Sequence, residues 1–325
     1  MLIMKSRIFN RIKGIYGRHK GSISIIFLLV IFVLFLLYMK DRKDDFGLLL
    51  GLSFNDIFLL LAGALLFKLI LGYNFRVLIS FFGINLGFRQ WFGLTCMAAM
   101  ANYLLPVKAG VVAQAVYLKK IYGFRYTDFL SSITGFYAVT FLVNAVSGVA
   151  LSFLLFRRGV ESAGMILIFF LLFTVVTGVF LFFLYHSTKL SHKLSFVKGF
   201  LEGLKNFHGK PRRAFYLVIS QIGVIIAIGV RLLIAFRVLG IEIDIVSCMV
   251  IALITSFSIF VSVTPGNLGI KEFLVTFSAS ALGFTPSEGL MVAMLDRGVD
   301  IIVSFVTGYG FTYMLANKKA VPQDT

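Results

Sequence analysis

Charged and polar side chains interrupt long apolar stretches of this sequence. Burying a charged side chain in such a stretch is costly, so these residues are expected to be paired with one another or to have a function. Two lysines lie beside proline–glycine breaks in such stretches: Lys108 follows Pro106, and Lys271 follows Pro265. A helix that begins after a break offers free backbone N–H groups and a positive dipole end, which together with Lys and Arg suit phosphate or another anion. The candidate binding residues are Lys108, Lys271, Glu272, Arg231, Arg297, Asn102, Gln114 and Asn267.

Acidic residues in the same stretches can balance these cations. The candidate partners of Glu272 are Lys271, Arg297 and Arg231. Asp296, Arg297 and Asp300 are spaced three or four apart, so they neighbour one another if this segment is helical. Lys68 lies near the middle of another apolar stretch and should face protein or a cavity, unless its side chain reaches the interface. We therefore assign Asp296, Asp300 and Lys68 to coupling or ion pairing; the alternative is that all these charges only hold helices together.

The two breaks are copies of one pattern. Both read Pro-x-x-x-Gly, from Pro106 to Gly110 and from Pro265 to Gly269, and the second also contains Gly266. The prolines are 159 residues apart (265 − 106). Other pairs recur at an offset of 160: Gly123-Phe124 with Gly283-Phe284, and Gly148 with Gly308. Since Pro interrupts helical hydrogen bonding and Gly permits a turn, we predict an internal duplication centred on a broken helical hairpin.

Composition places the chain in a membrane. It is 59% hydrophobic with only 14% charged residues, its mean hydropathy is +0.96, and several apolar runs reach about 18 residues. The net charge of +17 is attributed to Lys and Arg in cytoplasmic loops, so no nucleic-acid partner is expected. Cys96 and Cys248 both fall in apolar segments. We expect no disulfide, no metal site, no cofactor and no catalytic residue.

The predicted fold is an all-α polytopic membrane protein with about six transmembrane helices and two re-entrant broken-helix hairpins. Residues 1–21 form a basic cytoplasmic segment, 22–315 a single membrane domain, and 316–325 a cytoplasmic tail. The predicted spans are 22–39, 55–75, 127–156, 163–185, 214–238 and 287–315. The hairpin legs are Gln90–Leu105 with Ala109–Leu118, and 245–263 with 270–282. Thr127 is expected to cap the span that begins there.

We predict an integral protein of the plasma membrane. The loops at 76–90 and 186–213 are basic, which predicts that they lie in the cytoplasm together with both termini. The helix before the first hairpin then runs inward and the helix before the second runs outward. Repeat 1 (about 55–156) and repeat 2 (about 214–315) are therefore inverted, with 163–213 as the linker. Inverted repeats with broken helices are an architecture of secondary transporters.

The segment from Thr264 to Glu272 resembles the Pro-Gly-x-Leu-Gly-x-x-Glu signature of the lysylphosphatidylglycerol synthase transmembrane region, a flippase-like domain family. The segment from Asn102 to Gly110 is similar to that family's first-half motif, and the resemblance covers roughly residues 20–315. Asn267 stands where Gly is common, and Lys271 where Arg is common. The resemblance implies movement of a lipid across the bilayer. Bifunctional members also carry a soluble aminoacyl-transferase domain. Since only about ten residues follow the last predicted span, we expect no such domain here and no synthesis of aminoacylated lipid.

Three functional hypotheses follow. The first is a lipid translocase that binds a phosphate-containing headgroup between the hairpins; its substrate is a phospholipid, a glycolipid or a polyprenyl-phosphate-linked lipid. The second is an ion- or proton-coupled transporter of a small solute, with Asp296, Asp300 or Glu272 as the proton carrier. The third is a membrane-embedded transferase acting on a lipid-linked substrate. Whether the protein forms a homo-oligomer is left open.

Overall fold

A computed structural model describes residues 51–104, 108–186, 210–258 and 264–316. The predictions for residues 1–21, the span 22–39, most of the loop 186–213 and the end of the tail fall outside these residues. The α-helices are α1 (Phe54–Ser80), α2 (Phe88–Leu104), α3 (Ala109–Tyr122), α4 (Tyr126–Arg157), α5 (Ala163–His186), α6 (Pro211–Val238), α7 (Ile245–Ser256), α8 (Ile270–Ala281) and α9 (Pro286–Ala316). A short 3-10 turn, Pro265–Asn267, lies between α7 and α8.

Three of the described helices, α1, α4 and α6, are long and apolar enough to cross a membrane. They contain the predicted spans 55–75, 127–156 and 214–238. On α5 the side chains of Met165, Leu172 and Val179 are 74%, 61% and 62% exposed, as suits a helix that faces acyl chains rather than water. Within the described residues the regular structure is entirely helical. The chain is an all-α membrane protein, as predicted.

Hydrogen bonds at the N-caps explain where α1 and α4 begin. The side chain of Ser53 accepts the backbone N–H of Asp56 and the carboxylate of Asp56 accepts the N–H of Ser53, which fixes the start of α1. The predicted cap at Thr127 is wrong, because α4 begins earlier and its N-cap is Arg125. The carbonyl of Arg125 accepts the N–H groups of Asp128 and Phe129 at 3.1 and 3.0 Å, and its guanidinium pairs with Asp128 at 2.9 Å.

The helices pack as two halves that meet along α1 and α6. In the first half α1 contacts α2, and α2 contacts α3; in the second, α6 contacts α7, and α7 contacts α8. The halves also exchange partners, since α2 packs on α9 and α7 packs on α4. Three apolar clusters fill the interior, one around Leu78 and Leu94, one around Phe236 and Val292, and one around Phe170.

Contacts between loops define one end of the helical bundle. Phe82, just after α1, packs edge to face on Phe124, just after α3, with ring centroids 5.2 Å apart. Lys210, just before α6, donates to the carbonyl of Phe81. The ends of α1 and α3 and the start of α6 therefore lie together.

The opposite end is defined in the same way by the second half. Arg158, just after α4, pairs with Asp244, just before α7, at 3.0 Å. Phe236, near the end of α6, contacts Phe284, just after α8, with ring centroids 5.4 Å apart. The ends of α4, α6 and α8 and the start of α7 therefore lie together.

Both broken units have short legs. The helix α7 ends at Ser256, before the predicted end of that leg at 263, and residues 259–263 lie outside the described part. Its 12 residues extend about 18 Å at 1.5 Å per residue, well short of a ~30 Å hydrocarbon core. The first break is flanked by α2, which ends at Leu104, and α3, which starts at Ala109.

Candidate functional site

A cavity of about 410 Å³ lies between the two breaks and is lined by residues from both. From the first broken unit come Asn102, Tyr103, Lys108 and Gln114; from the second come Thr264, Gly266, Asn267 and Lys271. Helices α1 and α9 add Lys68 and Asp300. The structure thus joins most of the predicted polar residues in one space, although the most distant of them, Lys68 and Asp300, are 232 residues apart in sequence.

At the first break, Lys108 is the N-cap of α3 and has a left-handed backbone (φ 53°). Its amine is 3.5 Å from the hydroxyl of Tyr137 and 5.1 Å from the centre of that ring. Asn102 satisfies one of the amides at the start of α3, because its side-chain oxygen accepts the N–H of Gly110 at 2.8 Å. Pro106 lies outside the described residues.

Close packing at the first break requires Gly110. A Cβ at this position would lie 2.1 Å from the carbonyl oxygen of Ala98, in α2. The glycine therefore lets the backbones of α2 and α3 approach each other beside the cavity, which Ala98 lines. This approach sets the position from which Lys108 reaches the cavity.

At the second break the backbone turns sharply. Gly266, Asn267 and Gly269 all have positive φ, of 59°, 56° and 84°. Thr264 stabilises the turn by donating its hydroxyl to the carbonyl of Leu268 at 2.9 Å. Asn267 donates to the carbonyl of Ser258 at 3.2 Å. The predicted break at Pro265–Gly269 is therefore a real departure from helical geometry.

Arg297 and Glu272 stabilise this turn through hydrogen bonds to its backbone. Arg297 donates to the carbonyls of Gly266 and Asn267, at 3.0 and 3.3 Å. Glu272 accepts the N–H of Gly269 at 2.7 Å and forms an ion pair with Arg297. Of the three predicted partners of Glu272, Arg297 is thus the one it contacts.

A chain of alternating charges connects α1, α6, α8 and α9. Lys68 pairs with Asp300 at 3.0 Å, and Arg231 bridges Asp300 at 3.4 Å and Asp296 at 2.6 Å. Lys271 pairs with the other oxygen of Asp296 at 3.0 Å. Lys271 has the most exposed side chain in this chain, at 29%, against 5% for Arg231 and 2% for Lys68.

Not every predicted binding residue reaches the cavity. Among the described residues that line it, Arg231, Glu272, Asp296 and Arg297 do not appear. They form the layer behind it, buried to 4–6% exposure. Lys108, Lys271, Asn102, Gln114 and Asn267 do line it.

Sequence reasoning missed several lining residues, among them Tyr103, Tyr137 and Thr264. Tyr103 donates to Asp300 at 2.6 Å and its ring packs on Gly266, where a Cβ would lie 2.5 Å away. Tyr137 and Thr264 also line the cavity. Thr264 directly precedes Pro265 of the repeated pattern, and Tyr103 directly follows the predicted residue Asn102, so these neighbours were the available signal. Tyr137, inside an apolar helix, carried none.

The apolar helices and the polar cavity define an integral membrane protein. Its buried charges lie around a cavity between two breaks in the helices. More particularly, the chain belongs to the family of the lysylphosphatidylglycerol synthase TM region, whose family model matches residues 21–308. This confirms the resemblance drawn from the sequence. A comparison with curated proteins found no match.

Proposed function

We propose that the protein is a lipid translocase that carries a lipid with a phosphate-containing headgroup across the plasma membrane. The observation that carries this proposal is the cavity, which is lined by both breaks at once. A headgroup held there would contact Lys108 from one half and Lys271 from the other. Membership of the family supports a role in lipid handling.

The charge of the site favours an anion. Five cations (Lys68, Lys108, Arg231, Lys271 and Arg297) face three carboxylates (Glu272, Asp296 and Asp300), which leaves a formal charge of +2. Among the described residues no carboxylate lies within salt-bridge distance of Lys108, which contacts Tyr137 instead. Lys271 shares Asp296 with Arg231, so Lys271 can turn to a ligand while Asp296 stays paired. A phosphate would balance the remaining charge.

The helix packing supports an inverted repeat of two halves. Pairing α1 with α6, α2 with α7, α3 with α8 and α4 with α9 converts each contact within one half into a contact within the other. The contact of α2 with α9 likewise converts into that of α7 with α4. The left-handed residues Lys108 and Asn267 are also 159 apart (267 − 108), as the two prolines are.

The two ends of the helical bundle support re-entrant hairpins. The loop before α2 and the end of α3 lie at one end, beside Phe82 and Phe124. The start of α7 and the end of α8 lie at the other, beside Asp244 and Phe284. We infer six spans and two hairpins that enter from opposite faces, with both termini in the cytoplasm. In such an architecture the substrate binds near the midplane and is exposed to each side in turn.

In the proposed mechanism the phosphate binds to Lys108 and Lys271 at the positive end of α3, while the acyl or prenyl chains stay in the bilayer. The lipid is not altered covalently. Arg297 and Glu272 keep the second break in shape, and the network around Asp300 compensates the buried cations. A gradient or the supply of substrate on one side drives net movement.

A sidedness assay in proteoliposomes tests the proposal. Fluorescent lipids with anionic, zwitterionic and cationic headgroups are incorporated, and a membrane-impermeant quencher reports the leaflet of each. We expect protein-dependent movement of the anionic lipid, reduced about tenfold or more by Lys108→Ala or Lys271→Ala, because each removes a charge-assisted contact. Lys119→Ala, an exposed change on the same helix as Lys108, is the control. Normal movement in both cavity variants, with folding intact, contradicts the cationic site.

A proton-coupled transporter of a small anion is the second candidate. It is favoured by Asp300, which lines the cavity and contacts Lys68, Arg231 and Tyr103. Protonation of Asp300 would release these partners and couple them to transport. The same liposomes distinguish the two candidates: uptake of a soluble anion without lipid movement, abolished in Asp300→Asn, would support the second candidate.

A further inference from the structure

A second cationic cleft lies at the end of the helical bundle where α1 ends and α6 begins. It encloses about 600 Å³ and is lined by Tyr73, Arg76, Val77, Ser80, Asn85, Lys210, Pro211, Arg212, Arg213 and Tyr216. Four of these residues are cations and none is an acid. None of them lines the central cavity, so the cleft is a separate feature.

Two of the four cations have structural partners. Lys210 donates to the carbonyl of Phe81 and Arg213 to the carbonyl of Ser80. These carbonyls lie at the end of α1, where the helix leaves acceptors without internal donors and carries the negative end of its dipole. Lys210 and Arg213 therefore fix α6 onto α1.

The other two cations, Arg76 and Arg212, are exposed and lack such partners. Among the described residues, no carboxylate lies within salt-bridge distance of Arg76 or Arg212. The guanidinium carbon of Arg212 lies 5.9 Å from the ring centre of Tyr216. The start of α6 is also uncompensated: its first turn holds no acid, Pro211 occupies the first turn, and its N-cap Lys210 makes no side-chain capping bond. Two guanidinium groups and a positive helix end thus face one cleft.

The cleft lies near the membrane–water boundary, and this position indicates which class of ligand it would bind. Helices α1 and α6 are both long and apolar enough to cross a membrane, so their adjoining ends lie near the membrane–water boundary. Tyr73 and Tyr216 are 41% and 40% exposed beside the arginines, and tyrosines concentrate at such boundaries. Phe215 and Ile219, on α6, expose an apolar surface next to the cleft, at 61% and 49%.

We propose that this cleft binds the headgroup of an anionic phospholipid. Arg76 and Arg212 contact the phosphate, and the acyl chains lie along the apolar surfaces of α1 and α6. Sequence places this end in the cytoplasm, where the leaflet is rich in anionic lipid and basic pockets between helices bind such headgroups. The site stands independently of translocation through the central cavity.

Binding of dioctanoyl-phosphatidylglycerol to the purified protein tests this site. All three proteins compared, the reference and the two variants below, carry Lys108→Ala and Lys271→Ala, which we expect to remove binding in the central cavity. At about 0.15 M salt we expect the further pair Arg76→Gln and Arg212→Gln to raise the Kd about tenfold, because both guanidinium contacts are lost. The control pair is Lys119→Gln and Lys120→Gln, which removes two exposed charges from α3.

Three results would overturn the assignment. An unchanged Kd in the arginine pair means that the cleft does not bind the lipid. An equal loss in the lysine pair means that only total charge matters. Equally tight binding of glycerol phosphate or of dioctanoyl-phosphatidylcholine means that the ligand is not an anionic lipid. Failure of the translocase proposal would appear elsewhere, as normal lipid movement in Lys108→Ala and Lys271→Ala.

Discussion

Individual residues around the cavity divide into those that face the ligand and those that hold the backbone. Lys108 and Lys271 line the cavity and are partly exposed. Arg297 and Glu272 are nearly fully buried and bond to the backbone of the second break. Lys108, Lys271 and Arg297 are all cations, yet their removal should have different consequences.

Arg297→Ala is predicted to destabilise the protein strongly. It leaves the carboxylate of Glu272 buried without its partner and the carbonyls of Gly266 and Asn267 without a donor. Removing one partner of a buried ion pair typically lowers the free energy of unfolding by about 3–5 kcal/mol. Lys271→Ala should cost far less, because Asp296 keeps Arg231. Thermal unfolding in detergent measures both. The control is Arg125→Ala at an exposed pair, where about 1 kcal/mol or less is expected.

An Arg297→Ala protein that unfolds at the wild-type temperature, but no longer moves lipid, would contradict this division. Arg297 would then act on the ligand, as the sequence first suggested. Retained stability together with retained transport would contradict both roles.

The sequence predicted the breaks and their lysines because proline and glycine inside an apolar run are strong local signals. It did not separate lining residues from supporting ones, since Lys271 and Glu272 are adjacent and only the rotation of α8 puts one in the cavity and the other behind it. The partner of Glu272 was open for the same reason: three cations were equally plausible by type. Tyr137 was missed because a tyrosine in an apolar helix gives no sign of which side it faces.

At the level of the helices, the first broken unit depends on how closely α2 and α3 approach. The closest point is Gly110 against the carbonyl of Ala98. The amide of the same glycine is capped by Asn102, on α2. The two legs are therefore joined by a backbone contact and a side-chain hydrogen bond at one place.

Gly110→Ala is predicted to separate the legs and impair transport. Its Cβ would lie 2.1 Å from a backbone oxygen, which cannot move aside as a flexible side chain can. A cost of about 1–3 kcal/mol is typical of such overpacking. Gly178→Ala is the matched control, because a Cβ there meets nothing within 4 Å. Thermal unfolding and the sidedness assay measure the effect; equal behaviour of the two variants would show that the approach of α2 and α3 is not required.

For the whole molecule, the positions of the loops follow from contacts that the sequence did not reveal. Charge bias alone predicted which loops face the cytoplasm. The ring contact of Phe82 with Phe124 and the ion pair of Arg158 with Asp244 now group the loops at two ends of the helical bundle. We propose that this grouping reflects the inverted arrangement predicted from the repeat, in which each hairpin starts and finishes at one end of the helical bundle.

Cysteine labelling in intact cells tests this arrangement directly. Single cysteines are placed in loops at exposed positions, in a background that lacks Cys96 and Cys248: Asn85→Cys, Arg125→Cys, Glu161→Cys, Glu242→Cys and Thr285→Cys. A membrane-impermeant maleimide should label the last three from outside and the first two only after lysis. Labelling of position 125 from outside would show that the first hairpin crosses the membrane, and labelling of position 285 only after lysis would show the same for the second. Either result would remove the inverted hairpins on which access from both sides depends.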